Sequence, residues 1–272
     1  MKFKYIIISF NILIIFFLLV IAFTPLLALG LEFAKKFWIS GWSLALVLVL
    51  SLIGFNMFFL LNRRLFKLLE REDWPALTDY LEHRLYDKNR YPQSLVRLLA
   101  NSCIILSDSA GVMRLEKKIS AEKPALLDKN ALIFGAARIL GGDSAGAASF
   151  FKARLENGRV KDTQWIRFFY SFALLLSRDF NTAENGFSTL AKNSNDVIIT
   201  GLSSWFLSET LCKFSNMPDE CMKAAEQGKQ RVLGKIKTIV AWKKETAKIE
   251  AEIHTAVIKK YIDQSAKWLF NK

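Results

Sequence analysis

Residues 135–151, GAARILGGDSAGAASFF, decide how this chain folds. Apolar residues recur at a helical spacing on both sides of the polar break at Gly142-Asp143. Thirty-six residues later, residues 171–187, SFALLLSRDFNTAENGF, repeat the arrangement. A small residue, an aspartate, an alanine and a phenylalanine stand at equivalent positions in both segments. The pattern predicts two copies of one helix–turn–helix unit.

Similar polar breaks occur throughout the middle of the chain. They follow one another at intervals of 35, 35, 36 and 37 residues, at Asp73, Asp108, Asp143, Asp179 and Asn216. Strand signals are nearly absent, and residues 197–200, the one candidate, run directly into a helical pattern. The predicted fold class is therefore all-α, with pairs of helices joined by short turns. The aspartate of a turn is expected to cap the helix that follows it.

With this spacing, residues 60–232 resemble the tetratricopeptide repeat, whose units of about 34 residues each form two antiparallel helices. The residues that match its small, turn and packing positions are Gly135, Asp143, Ala147 and Phe151, then Ser171, Asp179, Ala183 and Phe187. The resemblance implies an α-solenoid over residues 67–231 that presents a groove to a protein partner. Candidate groove residues, taken from the first helix of each pair, are Arg97, Asn101, Arg138, Arg167 and Tyr170.

Residues 1–66 are predicted to hold two transmembrane helices. Residues 5–29 and 37–61 carry no charge, and each is long enough to cross the roughly 30 Å hydrocarbon core of a bilayer. Residues 32–36 would connect the two spans. An alternative is that the first apolar run is a signal peptide cleaved near Ala28-Leu29-Gly30. Asn11, Ser51 and Asn56 are polar residues within the spans that could pair the two helices or two protomers of a homo-oligomer.

Basic residues predict the orientation of these spans. Lys35 and Lys36 are the only bases of the connector, whereas six flank the other ends of the spans: Lys2, Lys4, Arg63, Arg64, Lys67 and Arg71. The positive-inside rule then places the N-terminus and everything after the second span in the cytoplasm of a bacterial-type inner membrane. Arg63, Arg64 and Lys67 are also expected to contact lipid phosphates.

Residues 232–272 form a basic end of the chain. Residues 228–272 have a net charge of +7, against +1 for residues 71–227. The apolar spacing predicts one long helix from Gln230 to Leu269. This helix either caps the solenoid or binds anionic lipid or an acidic partner through bases that include Lys235, Lys237, Lys243 and Lys244. No base-reading motif accompanies the charge, so nucleic acid is not an expected partner.

One motif suggests catalysis. Residues 142–146, GDSAG, fit G-x-S-x-G and resemble the nucleophile elbow of α/β hydrolases related to hormone-sensitive lipase, with Ser144, Asp219 and His254 in that family's order. Neither the parallel sheet nor the oxyanion segment that the elbow requires is recognisable. The three cysteines and two histidines lack metal-ligand spacing, so no metal or cofactor is expected and all three thiols are expected to be reduced. The predicted function is a non-catalytic, membrane-anchored scaffold, with a membrane-tethered serine esterase or a lipid-binding module as alternatives.

Overall fold

The computed structural model describes residues 3–250 and 252–270, and the regular structure in these ranges is helical without any strand. The all-α prediction is confirmed. The helices are α1 (Phe3–Leu61), α2 (Arg63–Glu70), α3 (Trp74–Tyr86), α4 (Gln93–Ile105), α5 (Ser109–Glu122), α6 (Ala125–Lys129), α7 (Ala131–Leu140), α8 (Ser144–Asn157), α9 (Thr163–Leu176), α10 (Phe180–Asn193), α11 (Val197–Glu209), α12 (Pro218–Lys235), α13 (Ile239–Glu250) and α14 (Lys259–Phe270). Two 3₁₀ turns, Leu211–Lys213 and Ile253–Val257, complete the regular structure of these residues. The chain divides into a first unit, Met1–Tyr80, and a second unit, Leu81–Lys272.

The first unit is built on α1, which is interrupted at Gly30. Gly30 has φ 81° and ψ 175°, a conformation that glycine adopts more readily than other residues. The side-chain amides of Asn11 and Asn56 exchange two hydrogen bonds of 3.1 and 2.8 Å, so the two halves of α1 lie against each other. The predicted pairing of these asparagines is therefore found within one chain. The reversal occurs at Gly30, and residues 32–36, the predicted connector, are helical.

The two halves of α1 contain the predicted apolar spans. Tyr5–Leu27 and Gly41–Leu61 are long and apolar enough to cross a membrane, and at most 6% of either span's most apolar window is buried within the protein. A helix so apolar and so little covered by its own chain is unusual in a soluble core. By length and composition, these two helices suggest association with a membrane.

Four of the predicted breaks are turns of one geometry, at Asp73, Asp108, Asp143 and Asp179. Each aspartate carboxylate accepts a hydrogen bond from the backbone N–H three residues later, at 3.2, 2.8, 2.9 and 3.2 Å in chain order. The residue before each aspartate has a positive φ, at Glu72, Ser107, Gly142 and Arg178. Each carboxylate thus satisfies a free N–H of the helix that follows, as predicted. The fifth break differs, because a 3₁₀ turn precedes Asn216 and no side chain caps α12.

Small residues allow the helices of a pair to approach closely. A Cβ added to Gly135 in α7 would lie 2.0 Å from the Phe151 ring of α8, so a larger residue would displace that ring. The small residue at position 135 and the aromatic ring at position 151 therefore contact each other within the pair. In the following pairs, a Cβ added to Gly186 would lie 2.1 Å from the Ser171 hydroxyl, and a Cβ added to Gly228 would lie 2.0 Å from the Ser204 hydroxyl.

The predicted long C-terminal helix is wrong. Helix α12 ends at Lys235, Ile236 is extended (φ −125°, ψ 108°), and the Thr238 hydroxyl caps α13 by accepting from the Ala241 N–H at 3.2 Å. The 3₁₀ turn Ile253–Val257 then separates α13 from α14. A straight helix of some forty residues would be about 60 Å long and could not return to the body of the second unit. The interruptions allow α13 and α14 to fold back and bury their apolar residues.

Two of the three cysteines form a disulfide. Cys212 in the 3₁₀ turn is bonded to Cys221 in α12, with Cα atoms 5.5 Å apart. The expectation of three reduced thiols is wrong for this pair, because the turn brings together two residues whose spacing has no recognised motif. Cys103 is free and fully buried, and burial raises the pKa of its thiol to about 12. This thiol is therefore unreactive at neutral pH.

Candidate functional site

The first helices of the pairs, α4, α7, α9 and α11, share a face that we call the first-helix face. Residues 239–270, the C-terminal segment, pack on it. The Trp242 ring lies 2.5 Å from the position that a Cβ on Gly201 would occupy. The Tyr261 ring packs against Phe172 of α9 and Phe206 of α11, with centroids 5.5 and 5.0 Å apart. The part of this face on α9 and α11 is thus covered by the chain's own C-terminus.

His254 extends this cover toward α7 and the start of α9. Its ring centroid is 5.7 Å from that of Phe169 and 6.3 Å from that of Trp165, and the residue is only 8% exposed. Burial and then the nearby Arg97 charge lower the pKa of His254 to about 4, whereas Asp162 acts in the opposite direction. The imidazole is therefore neutral at pH 7.

A cavity of about 320 Å³ opens beside His254, where the C-terminal segment leaves the first-helix face uncovered. Arg97 of α4 forms an ion pair with Glu252, which links α4 to the C-terminal segment at the edge of this cavity. The charged residues of its wall are Arg97, Asp128, Lys129, Lys161, Asp162 and Glu252. Trp165 contributes an aromatic surface to the same wall. Charges of both signs around one aromatic side chain suit a polar, charged ligand better than an apolar one.

The structure separates the predicted groove residues. Arg97 lines the cavity, and Asn101 lies one turn further along α4, half-buried, with a buried Oδ1 that has no hydrogen-bond partner among the described residues. Arg167 is exposed and Tyr170 half-buried on α9, and neither lines the cavity. Arg138 donates two hydrogen bonds to Glu116 of α5, at 3.0 and 2.9 Å. Its guanidinium therefore links neighbouring helices.

Sequence reasoning missed most of the cavity. Lys161 and Asp162 lie in the loop before α9 and had no motif to distinguish them. Trp165 lies in an apolar stretch with helical spacing, which does not distinguish a cavity-lining tryptophan from a core one. Glu252 and His254 could not be linked to Arg97 while the C-terminus was treated as one straight helix. The Asp-Lys pair at 128–129 is part of α6, a helix too short to produce a periodic signal.

The three residues of the esterase alternative lie on separate elements. Ser144 is the first residue of α8 and follows α7, so the segment joins two helices and lacks the strand that precedes a nucleophile elbow. His254 packs between aromatic rings, whereas Asp219 lies in the first turn of α12. Within residues 3–250 and 252–270, no hydrogen bond or ion pair joins any two of the three.

The predicted membrane-surface residues form two exposed groups. Arg63, Arg64 and Lys67 are exposed on α2, and the Arg64 guanidinium lies 5.1 Å from the Tyr80 ring centroid. Lys235, Lys237, Lys243 and Lys244 are exposed around the junction of α12 and α13. Lys2, used to predict orientation, lies outside the described residues. No group of three or more His, Cys, Asp or Glu side chains in the described ranges is placed to hold a metal ion.

Comparison with known proteins places the second unit in a family. A family model described as "Uncharacterised Treponema protein" matches residues 111–271, more than half of the chain. The chain belongs to this family. The matched region begins in α5 and includes the C-terminal segment and every cavity residue except Gln93 and Arg97. The covered first-helix face on α7, α9 and α11 thus lies within the part of the chain that the Treponema family model matches.

A relative in Treponema pallidum (strain Nichols), an "Uncharacterized protein", is 32% identical over 192 residues. The alignment covers 71% of this chain and 60% of the relative, so the chain spans less than two thirds of the relative's length. No solved structure matches the chain.

Proposed function

We propose that this protein is a non-catalytic scaffold, anchored in the membrane by α1, that binds a protein partner at the cavity beside His254. The observation that carries the proposal is the cavity itself, an uncovered part of the first-helix face with both signs of charge. The repeated aspartate-capped turns support a tetratricopeptide-like solenoid as the framework. Helical-repeat proteins commonly use the surface formed by successive units for protein binding.

The expected partner segment is short and charged. Aromatic side chains of the C-terminal segment already cover the apolar part of the first-helix face. Arg97, Lys129 and Lys161 offer donors for a carboxylate, and Asp128 and Asp162 offer acceptors for a cationic group. Such an arrangement favours a charged loop or chain end over an amphipathic helix.

Photo-crosslinking tests this site. A benzophenone amino acid replaces Lys161, at the cavity wall, or Lys213, another exposed lysine that lies outside it, in the full-length protein in native membranes. We expect a discrete protein adduct from position 161 and none from 213. In the wild-type background, Lys161→Glu should weaken capture of that protein about tenfold, because reversing a charge at an interface opposes complementary charges of the partner. Lys213→Glu is the matched control. Equal adducts from both positions, or adducts from neither, would contradict the proposal.

The proposed orientation places the N-terminus and the second unit in the cytoplasm. It rests on the six bases that flank the outer ends of the spans, against two in the connector. The Cys212–Cys221 disulfide argues for the opposite orientation, because structural disulfides persist mainly in oxidising compartments. The orientation therefore requires a test that does not depend on this disulfide.

Accessibility of an introduced thiol provides that test. Met113 is 51% exposed on α5, and background labelling is low because all three native cysteines are buried. We expect a membrane-impermeant maleimide to label Met113→Cys only after the inner membrane is opened. Glu32→Cys, in the predicted connector, should be labelled in cells whose outer membrane alone is permeabilised. The reverse result would place the second unit outside the cytoplasm.

A further inference from the structure

The start of α13 carries an exposed apolar pair surrounded by lysines. Val240 is 73% exposed and Ile239 is 37% exposed. The four lysines around them in sequence, Lys235, Lys237, Lys243 and Lys244, are all exposed. We call these six residues the α13 tip.

Charge is concentrated at the α13 tip. Residues 228–244 contain six bases and no acid. Three of the six have partners within the fold: Arg231 donates to the Ala191 and Ser194 carbonyls at 2.6 and 2.7 Å, Lys229 lies over the Trp268 ring, and Lys235, although exposed, donates to the Asn195 carbonyl at 3.5 Å. In the described part of the chain, the four lysines of the tip form no ion pair. Their charge is therefore available to an anionic surface.

The exposure of the apolar pair is not required by the folding of α13. Trp242 and Thr246 are the buried residues of this helix and attach it to the second unit. The Thr238 hydroxyl, just before the helix, caps its first turn. Polar side chains at positions 239 and 240 would therefore be compatible with the same fold. Apolar side chains that project between lysines are typical of protein segments that insert into the interface of a bilayer.

We propose that the α13 tip binds the surface of a bilayer that contains anionic lipids, with Ile239 and Val240 in the interfacial region and the four lysines at lipid phosphates. A bilayer is the favoured occupant because the same chain carries two helices long and apolar enough to cross one. Anionic headgroups complement the lysines, and acyl chains complement the apolar pair. This inference goes beyond the scaffold function and does not depend on the cavity beside His254.

Spin labelling of the full-length protein tests the proposal. The protein carries a nitroxide at Val240→Cys and is reconstituted into vesicles of phosphatidylcholine, with or without phosphatidylglycerol. In the anionic vesicles we expect the nitroxide to lose access to a water-soluble relaxation agent and to gain access to oxygen. A nitroxide at Met113→Cys, on α5, reports a surface outside the tip and should remain accessible to water in both vesicles.

Charge-matched variants separate the tip from general basicity. Replacing Lys235, Lys237, Lys243 and Lys244 by Gln should lower the ratio of inserted to free label by at least about tenfold. The same change in net charge at the exposed Lys117, Lys123, Lys152 and Lys213 should have little effect. Lys161→Glu should leave insertion unchanged, so failure of the cavity proposal and failure of this one are distinguishable.

Three results would overturn the proposal. In the first, position 240 remains equally accessible to water in both kinds of vesicle. In the second, it is equally protected in vesicles of phosphatidylcholine alone, which would exclude a role for anionic lipid. In the third, position 240 is protected only after poly-glutamate is added, which would assign the α13 tip to an acidic protein.

Discussion

Replacing Trp242 by alanine is expected to lower the free energy of unfolding of the second unit by about 3–5 kcal/mol. Trp242 is completely buried, and its ring fills the space above Gly201, where Leu269 also approaches. Alanine would leave a cavity between α11, α13 and α14. Gly201, which faces the Trp242 ring, has no side chain that could fill it. The C-terminal segment would lose the largest side chain that attaches it to α11.

Urea unfolding of the detergent-solubilised full chain, followed by circular dichroism at 222 nm, measures this loss. Trp242→Phe is the conservative variant and should cost much less than alanine, because within residues 3–250 and 252–270 the buried Trp242 Nε1 has no hydrogen-bond partner to lose. Val240→Ala, two residues earlier and 73% exposed, should change stability by less than about 0.5 kcal/mol. A Trp242→Ala protein as stable as Val240→Ala would show that the C-terminal segment does not contribute to the core.

The stability of the second unit is expected to fall by about 3 kcal/mol as the pH is lowered from 6.5 to 4, through His254 alone. The folded-state pKa of His254 is about 4, whereas the imidazole of an unfolded chain titrates near 6.5. Between these values the unfolded state binds the proton and the folded state does not, so stability rises with pH. The contribution of His254 is fully present above pH 6.5 and is lost by pH 4.

Unfolding measurements at a series of pH values test this expectation. His254→Gln cannot be protonated and should give a flatter dependence of stability on pH between 4 and 6.5. His83→Gln is the matched substitution at an exposed histidine, because the His83 side chain is 70% exposed. If His254→Gln and the parent protein show the same slope, the buried histidine does not control the acid sensitivity of the fold.

Local signals in the sequence were sufficient for the helix pairs. An aspartate that caps the next helix acts within three residues, so Asp108, Asp143 and Asp179 could be identified without knowledge of the tertiary fold. The small residue Gly135 and the aromatic Phe151 could be recognised in the same way, because both lie at fixed distances from the turn. These features are encoded over short stretches of chain.

Contacts between residues far apart in the chain could not be predicted from the sequence. The apolar stripe after residue 232 shows that one side of this segment is buried, but it does not identify the first-helix face as the surface that buries it. The break near Ile236 contains no proline and became clear only from the packing of Trp242. The cavity depends on that arrangement, whereas the Cys212–Cys221 disulfide depends on the 3₁₀ turn Leu211–Lys213. The sequence predicted the reversal within residues 32–36, because their charges suggested a loop, whereas it occurs at Gly30.

The cover over the first-helix face has a consequence for how the protein is made. A ribosome synthesises α7, α9 and α11 well before the C-terminal segment that covers them. Phe172 and Phe206 therefore remain without Tyr261 until residues 239–270 have been synthesised. Any chain that stops before residue 239 would retain an aromatic surface, which chaperones and proteases recognise. Burial of this aromatic surface of the second unit thus depends on the synthesis of residues 239–270.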